Sequence, residues 1–181
     1  MDLPEETDVL LVIDMQNDFI DGALGTEEAK AIVPKVAGRI EDFEGLVLFT
    51  QDTHEDDYLE TQEGKNLPVK HCIRDTQGWE IHPEIAKWVE REETVIEKPT
   101  FGSAQLAGML GMMNSDIQIN SVTLVGLCTD ICVISNAMLL KAFMPEVPII
   151  VDASCCAGVT PESHRTALQA MKACQIEVLE G

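Results

Sequence analysis

The sequence predicts an α/β fold: one three-layer, Rossmann-like α/β/α domain built on a six-stranded, mainly parallel sheet. Two observations carry this. Short apolar runs alternate along the chain with longer amphipathic segments. The first run, Val9–Ile13 (VLLVI), is apolar at every position, the pattern of a strand buried on both faces. Strand then helix, repeated, gives parallel neighbours joined by right-handed crossovers. A chain of 181 residues can enclose a sizeable core. No internal repeat, low-complexity tract or boundary divides it, so residues 1–181 are expected to form a single domain.

Taken in order, Asp8–Ile13 is the first predicted strand. Thr26–Phe43 carries a helical stripe of Ala29, Ile32, Val33, Val36, Ile40 and Phe43. Pro34 interrupts it, and the regular helix is expected to begin only near that residue. Gly45–Thr50 is the second strand. The polar stretch Gln51–Gly78 has no clear period, and its length marks it as functional. Ile81–Arg91 reads as a short helix, Thr94–Glu97 as the third strand and Ser103–Met113 as a helix. Ser121–Leu127 is the fourth strand and Asp130–Phe143 the helix after it. Val147–Asp152 is the fifth strand. Pro161–Cys174 is a helix with Thr160 as N-cap and proline at its first position, and Ile176–Leu179 is the sixth strand.

Composition excludes several classes of function. The formal net charge of −20 repels nucleic acid and anionic membranes and mildly favours a neutral or cationic substrate. No apolar run approaches the roughly 20 residues of a membrane span. The acidic start MDLPEETD is not a secretion signal, so a cytoplasmic location is expected. Cysteines stand at 72, 128, 132, 155, 156 and 174, without a CxxC pair or a regular framework. They are expected to be thiols, most of them core filler.

In open parallel sheets, sites lie beyond the carboxyl ends of the strands. That rule selects Asp14, Asp52, Lys98 and the segment Gly126–Cys132, all of which carry reactive side chains. Taken singly, a loop acid is the favoured reading of Asp14 and a surface lysine that of Lys98. Cys132 lies in GLCTDICV, where Thr129 and Asp130 are expected to cap a helix and place the cysteine in its first turn. Backbone N–H groups, the helix dipole and a nearby Lys98 would lower the thiol pKa. Asp14 would accept the thiol proton, and free N–H groups would hold an oxyanion. An inert buried helix cysteine is the ordinary alternative. Cys128 is the competing thiol, nearer the strand but outside the helix start. Asp52, His54 and His71, with Glu60 or Glu63, suit a divalent ion such as zinc, iron or manganese. Hydrogen-bonded histidines without a metal fit the same loose spacing.

The segments LLVIDMQNDFIDGAL (10–24), TQDTH (50–54), LPVKHC (67–72), EKPTFGS (97–103), GLCTDICV (126–133) and DASCCAGVTPESH (152–164) together resemble the isochorismatase-like cysteine hydrolases, and within them the nicotinamidases. The resemblance implies the isochorismatase-like hydrolase fold and a triad of Asp14, Lys98 and Cys132. It implies a cis peptide between Leu127 and Cys128, with the N–H groups of Cys128 and Cys132 forming an oxyanion hole. It assigns Asp52, His54 and His71 to a divalent metal, zinc first and iron or manganese as alternatives, that holds a pyridine nitrogen and ordered waters. Phe19 matches an aromatic residue lining the substrate pocket. A homo-oligomer, dimer or tetramer, is also implied. The implied reaction is hydrolysis of nicotinamide to nicotinate and ammonia through a thioester on Cys132.

Two departures bear on the substrate. Many nicotinamidases carry another histidine shortly after the position of His54. Tyr58 occupies that region here, and Glu60 or Glu63, with Glu63 preferred, would substitute. The tryptophan many of them place before the position of His71 is missing from Leu67-Pro68-Val69-Lys70. A second reading keeps the triad and changes the substrate to another small amide or a ureide, such as an N-carbamoyl compound. Vinyl-ether hydrolysis, the isochorismatase reaction, needs no thiol nucleophile and is disfavoured by Cys132. A catalytically inactive oligomeric binding protein is the reading from another class, against which the three filled triad positions count.

Overall fold

The computed structural model describes residues 5–180. Its helices are α1 (Asn17–Ile20), α2 (Glu27–Glu41), α3 (Gln62–Asn66), α4 (Pro83–Ala86), α5 (Ala104–Asp116), α6 (Ile134–Phe143) and α7 (Pro161–Ala173). Its strands are β1 (Glu6–Ile13), β2 (Leu46–Asp52), β3 (Val95–Lys98), β4 (Gln118–Leu127), β5 (Ile149–Ala157) and β6 (Glu177–Leu179). The six strands form one sheet in the order β3-β2-β1-β4-β5-β6, and every pairing is parallel. This is the doubly wound arrangement, and the strand order reverses between β1 and β4. Crevices open at such switch points, beyond the strand carboxyl ends.

Alternation along β1 divides the interior in two. Val9, Leu11 and Ile13 pack into one cluster with residues of α5, α6 and α7. Leu10 and Val12 point the other way, toward Ile32, Val33 and Val36 of α2 and Ile85 of α4. A strand with both faces covered needs apolar residues at every position, which is why VLLVI lies in the middle of the sheet.

Three predicted elements differ. Helix α2 begins at Glu27, with the Thr26 hydroxyl accepting from the Ala29 N–H, and continues through Pro34. Pro34 and Lys30 lie on the exposed face, so the carbonyl that loses its partner faces water, and the buried stripe holds the helix together. The predicted helix Ile81–Arg91 shrinks to Pro83–Ala86, because Ile81 pairs with Gln16 in an isolated bridge instead. Strand β5 runs on to Ala157, past the polar residues Asp152 and Ser154. Arg39 lies 3.6 Å from Asp152 Oδ2, and Ser154 donates to Asp152 Oδ1 at 2.7 Å, so these polar groups are partnered within the strand.

The switch point also depends on one glycine. Gly126 has φ +116°, and a Cβ there would sit 2.1 Å from the Ile13 carbonyl oxygen. Neither the space nor the backbone conformation admits a side chain. Gly126→Ala is therefore expected to cost more than about 2 kcal/mol, read as a lowered denaturation midpoint in urea. A midpoint equal to that of the unaltered protein would contradict the close β1–β4 approach.

Candidate active site

The chain leaves β1 through Asp14 at φ +46°, a left-handed conformation that aspartate tolerates better than most residues. Its carboxylate stays wholly buried at the switch point. Thr50 Oγ1, from β2, donates to Asp14 Oδ1 at 2.6 Å. On β3, in register with Asp52 of β2, Lys98 is only 1% exposed. Its side chain crosses the end of β2 toward β1. Lys98 Nζ lies 2.6 Å from Asp14 Oδ2, 3.2 Å from Asp52 Oδ1 and 3.5 Å from Cys132 Sγ, and it donates to the Thr100 carbonyl at 3.2 Å. Asp14, Lys98 and Cys132, from three different strand ends, thus meet at one ammonium.

Cys132 sits where the sequence places it, but the local structure differs. Thr129–Val133 is a single π-helical turn leading into α6, preceded by a cis Leu127–Cys128 peptide. Neither Thr129 nor Asp130 caps the helix. Thr129 Oγ1 instead pairs with His164 Nδ1 at 2.7 Å, and Asp130 Oδ1 accepts from the Val159 N–H at 3.0 Å. The expected lowering of the thiol pKa is also overturned. Burial, and next the negative charge of Asp14, push Cys132 well above its usual range, and Lys98 opposes them without prevailing. Burial likewise raises Asp14, again against Lys98. The helix-start argument considers only local dipoles; desolvation of a nine-tenths or more buried thiolate outweighs them. Cys128, the competing thiol, is pushed up to about 12, first by burial, and Lys98 Nζ makes its sulfur contact with Cys132 instead.

A second cluster adjoins the first. One ligating atom each from Asp52, His54, Glu63 and His71 lies within 4.8 Å of the others. His54 Nε2 is 3.0 Å from Asp52 Oδ2 and 3.5 Å from Glu63 Oε1, and His71 Nε2 is 3.8 and 3.7 Å from the same oxygens. Burial works against a proton on His54, yet the Asp52 and Glu63 carboxylates outweigh it and lift the ring to about 9. Asp52 is held below its usual range despite burial, by His54 and Lys98. His54 Nε2 is buried without a well-aligned hydrogen-bond partner. His71 Nδ1 is engaged by the Val69 carbonyl at 2.9 Å, which leaves Nε2 facing the carboxylates, the arrangement of a ligating imidazole. Two carboxylates and two imidazoles around one point call for a positive charge at its centre. Separations of 3.0 to 3.8 Å suit neighbouring ligands of an ion bound at roughly 2.1 Å. The residues present therefore fit a divalent metal. Glu63 joins the cluster and Glu60 does not; Glu60 is exposed in the turn before α3. Tyr58 is a wall and not a ligand: its ring packs 4.7 Å from that of His54 and 5.0 Å from that of His71, and its hydroxyl donates to the Leu67 carbonyl.

Both clusters open into one cavity of about 730 Å³, lined by Cys128 and Cys132, by the four metal-type donors and by apolar residues that include Phe19. Asp14 and Lys98 lie beneath it. Phe19 stacks at a tilt on His71, with centroids 5.5 Å apart.

Several bracing residues went unnoticed in the sequence. The Asn136 amide, buried in α6, donates to the Cys132 carbonyl at 2.8 Å and accepts from the Ser103 N–H at 2.9 Å. Gln16 donates to the Asp52 carbonyl at 2.9 Å and accepts from the Asp52 N–H at 2.8 Å, fixing the metal-type donor from behind. With Thr50 they form the support of the site. A signal existed for Asn136, because an amide four residues after Cys132 on a largely apolar helix shares its face.

Comparison with known proteins agrees with this fold. The Isochorismatase domain model matches residues 8–181. The nicotinamidase PncA structure from Bacillus subtilis is 30% identical, covering 96% of this chain and 100% of that one, with a TM-score of 0.78. The pyrazinamidase/nicotinamidase from Streptococcus mutans is 25% identical, with coverages of 96% and 100% and a TM-score of 0.81. The pyrazinamidase of Pyrococcus horikoshii, solved in complex with zinc, is 27% identical, with coverages of 98% and 100% and a TM-score of 0.75. The doubly wound sheet, the strand-end residues at its switch point and a family match over nearly the whole chain lead to one conclusion: this protein belongs to the isochorismatase family.

Proposed function

We propose that this protein is an amidohydrolase that cleaves the C–N bond of a small carboxamide, nicotinamide first, by way of a thioester on Cys132. The observation that carries this reading is the Lys98 ammonium, 2.6 Å from a buried carboxylate and 3.5 Å from a buried thiol that lines the cavity. The nicotinamidase and pyrazinamidase names of the relatives point the same way.

In this mechanism Asp14 takes the proton of Cys132 as the carboxamide arrives, and the sulfur attacks the carbonyl carbon. The N–H groups of Cys128 and Cys132 face the oxyanion that forms. The tetrahedral adduct collapses as Asp14 returns the proton to the departing nitrogen, which leaves as ammonia. Water, deprotonated by Asp14, then attacks the thioester. The acid is released and the thiol regains its proton. Lys98 keeps the negative charge on the Asp14–Cys132 pair compensated throughout. Asp52, His54, Glu63 and His71 would hold a divalent ion, zinc before iron or manganese. Such an ion supplies a Lewis-acid anchor for a ring nitrogen.

The cavity lining disfavours the isochorismatase reaction. It includes the carboxylates of Asp52 and Glu63, and the Lys98 ammonium beneath it is already paired with Asp14 and Asp52, so a dianionic substrate would meet like charge there. A ureide or other small amide remains the second substrate class, since the triad alone would serve it; the metal cluster is what favours a pyridine-type ring.

Cys132→Ala is expected to lower ammonia release from nicotinamide by more than about a thousandfold while leaving the thermal midpoint within a few degrees. Full turnover in this variant would end the thioester mechanism. Metal analysis of the purified protein is expected to find close to one divalent ion per chain, and His71→Ala to lose it. Chelation should reduce nicotinamide turnover at least about tenfold, with recovery on adding zinc, iron or manganese. Metal-free protein that hydrolyses another amide at full rate would instead favour the second substrate class.

A further inference from the structure

We propose that the cavity selects carboxamides bearing an apolar substituent on the ring, and hydrolyses them in preference to unsubstituted nicotinamide. This inference rests on the amidase reading above. Its starting point is a mismatch of size. A cavity of about 730 Å³ falls in the range that encloses a drug-sized ligand, whereas nicotinamide is one ring and one carboxamide.

The surplus space has a definite chemistry. Leu67, Phe101 and Val159 line the cavity and are 38%, 44% and 51% exposed. They come from three separate segments: the residue after α3, the loop after β3 and the loop between β5 and α7. They share the rim with the exposed polar residues Thr61, Gln62, Asn66 and Thr100, and a single ring held deep in the cavity would leave their apolar side chains in contact with water. Exposed apolar surface at a pocket mouth is a mark of ligand contact. Leu24 and Ile131 extend the same apolar wall inward. The lining holds no lysine or arginine, so an acidic substituent is not matched there.

The pose assumed in the proposed mechanism sets where the substituent would sit. With the carboxamide at Cys132 and the ring nitrogen toward the Asp52, His54, Glu63 and His71 cluster, the ring carbon between these two groups faces the cavity floor. Position 5, opposite that carbon, faces the mouth. A butyl or phenyl group at position 5 would cover Leu67, Phe101 and Val159.

The test compares nicotinamide, 5-butylnicotinamide, 5-phenylnicotinamide and 5-carboxynicotinamide on the metal-loaded protein. Ammonia release gives kcat/KM, and calorimetry on Cys132→Ala gives Kd. The butyl and phenyl compounds are expected to exceed nicotinamide at least about tenfold in kcat/KM, from the apolar area they bury, and the carboxy compound to fall below it. In the double variant Phe101→Ser, Val159→Ser, at unchanged thermal midpoint, the ratio of phenyl to unsubstituted substrate should collapse toward one. Hydrolysis of nicotinamide with the butyl and phenyl compounds at or below it overturns the proposal and leaves the amidase reading standing. If none of the four is hydrolysed the nicotinamide-type reading fails. The Kd values then decide the character of the cavity: at least tenfold tighter binding of the phenyl compound sustains the apolar preference, and equal binding overturns it.

Discussion

A single buried ammonium organises this molecule's chemistry. Lys98 is 1% exposed, and a charge so placed costs several kcal/mol unless it is paired. The pairing is supplied by the sheet itself. Strands β3, β2 and β1 lie side by side, so their carboxyl ends present Lys98, Asp52 and Asp14 in a row. Adjacent strands are roughly 4.8 Å apart, and a lysine stem spans the interval that a shorter cation would leave open. Two carboxylates and one ammonium leave an excess negative charge in the floor of the cavity. That excess is what the imidazole of His54, or a cation held with it, offsets.

Asp52 joins the two halves of the site. Its Oδ1 meets Lys98 at 3.2 Å and its Oδ2 meets His54 at 3.0 Å. The carboxylate is therefore shared between the group that touches the thiol and the group suited to metal. Gln16 holds the backbone of Asp52 by two hydrogen bonds, so neither half can shift without disturbing the other. A cluster that shared no residue with the triad would leave the two independent; this one does not.

The sequence makes some of this visible and hides the rest, for physical reasons. The apolar run of β1 reveals Asp14 at its end, because a strand buried on both faces leaves no other reason for its composition; Lys98 is marked only by its place at the end of a short edge strand whose Glu97 is exposed. The parallel order of the sheet follows from alternation, whereas the residues alone leave Glu60 and Glu63 open and the preference for Glu63 comes from the family resemblance. Thr50 and Gln16 give no such signal: their hydroxyl and amide groups look like ordinary strand and loop residues until the fold brings position 50 to position 14 and position 16 to position 52. Pro34 misleads because local propensity is weighed without knowing which face meets water. The ionisation of Cys132 misleads for the same reason. Helix-end dipoles are local and legible, whereas desolvation depends on everything packed around the sulfur.

That last difference bears on the proposed chemistry. A low thiol pKa would give a permanently ionised, permanently reactive sulfur. Here burial raises both Cys132 and Asp14, and Lys98 opposes it at both, so the two acids share one ammonium. Moving the proton from sulfur to oxygen creates no new buried charge. It relocates one negative charge by a few ångströms beside the same ammonium. The desolvation cost is therefore largely common to both states, and the transfer depends on the difference between them. A bound carbonyl at Cys132 adds a sink for the sulfur's electron pair just where that difference must be overcome. In the proposed mechanism the seated carbonyl is what completes the nucleophile, at a thiol that lines the cavity beside the carboxylate paired with Lys98.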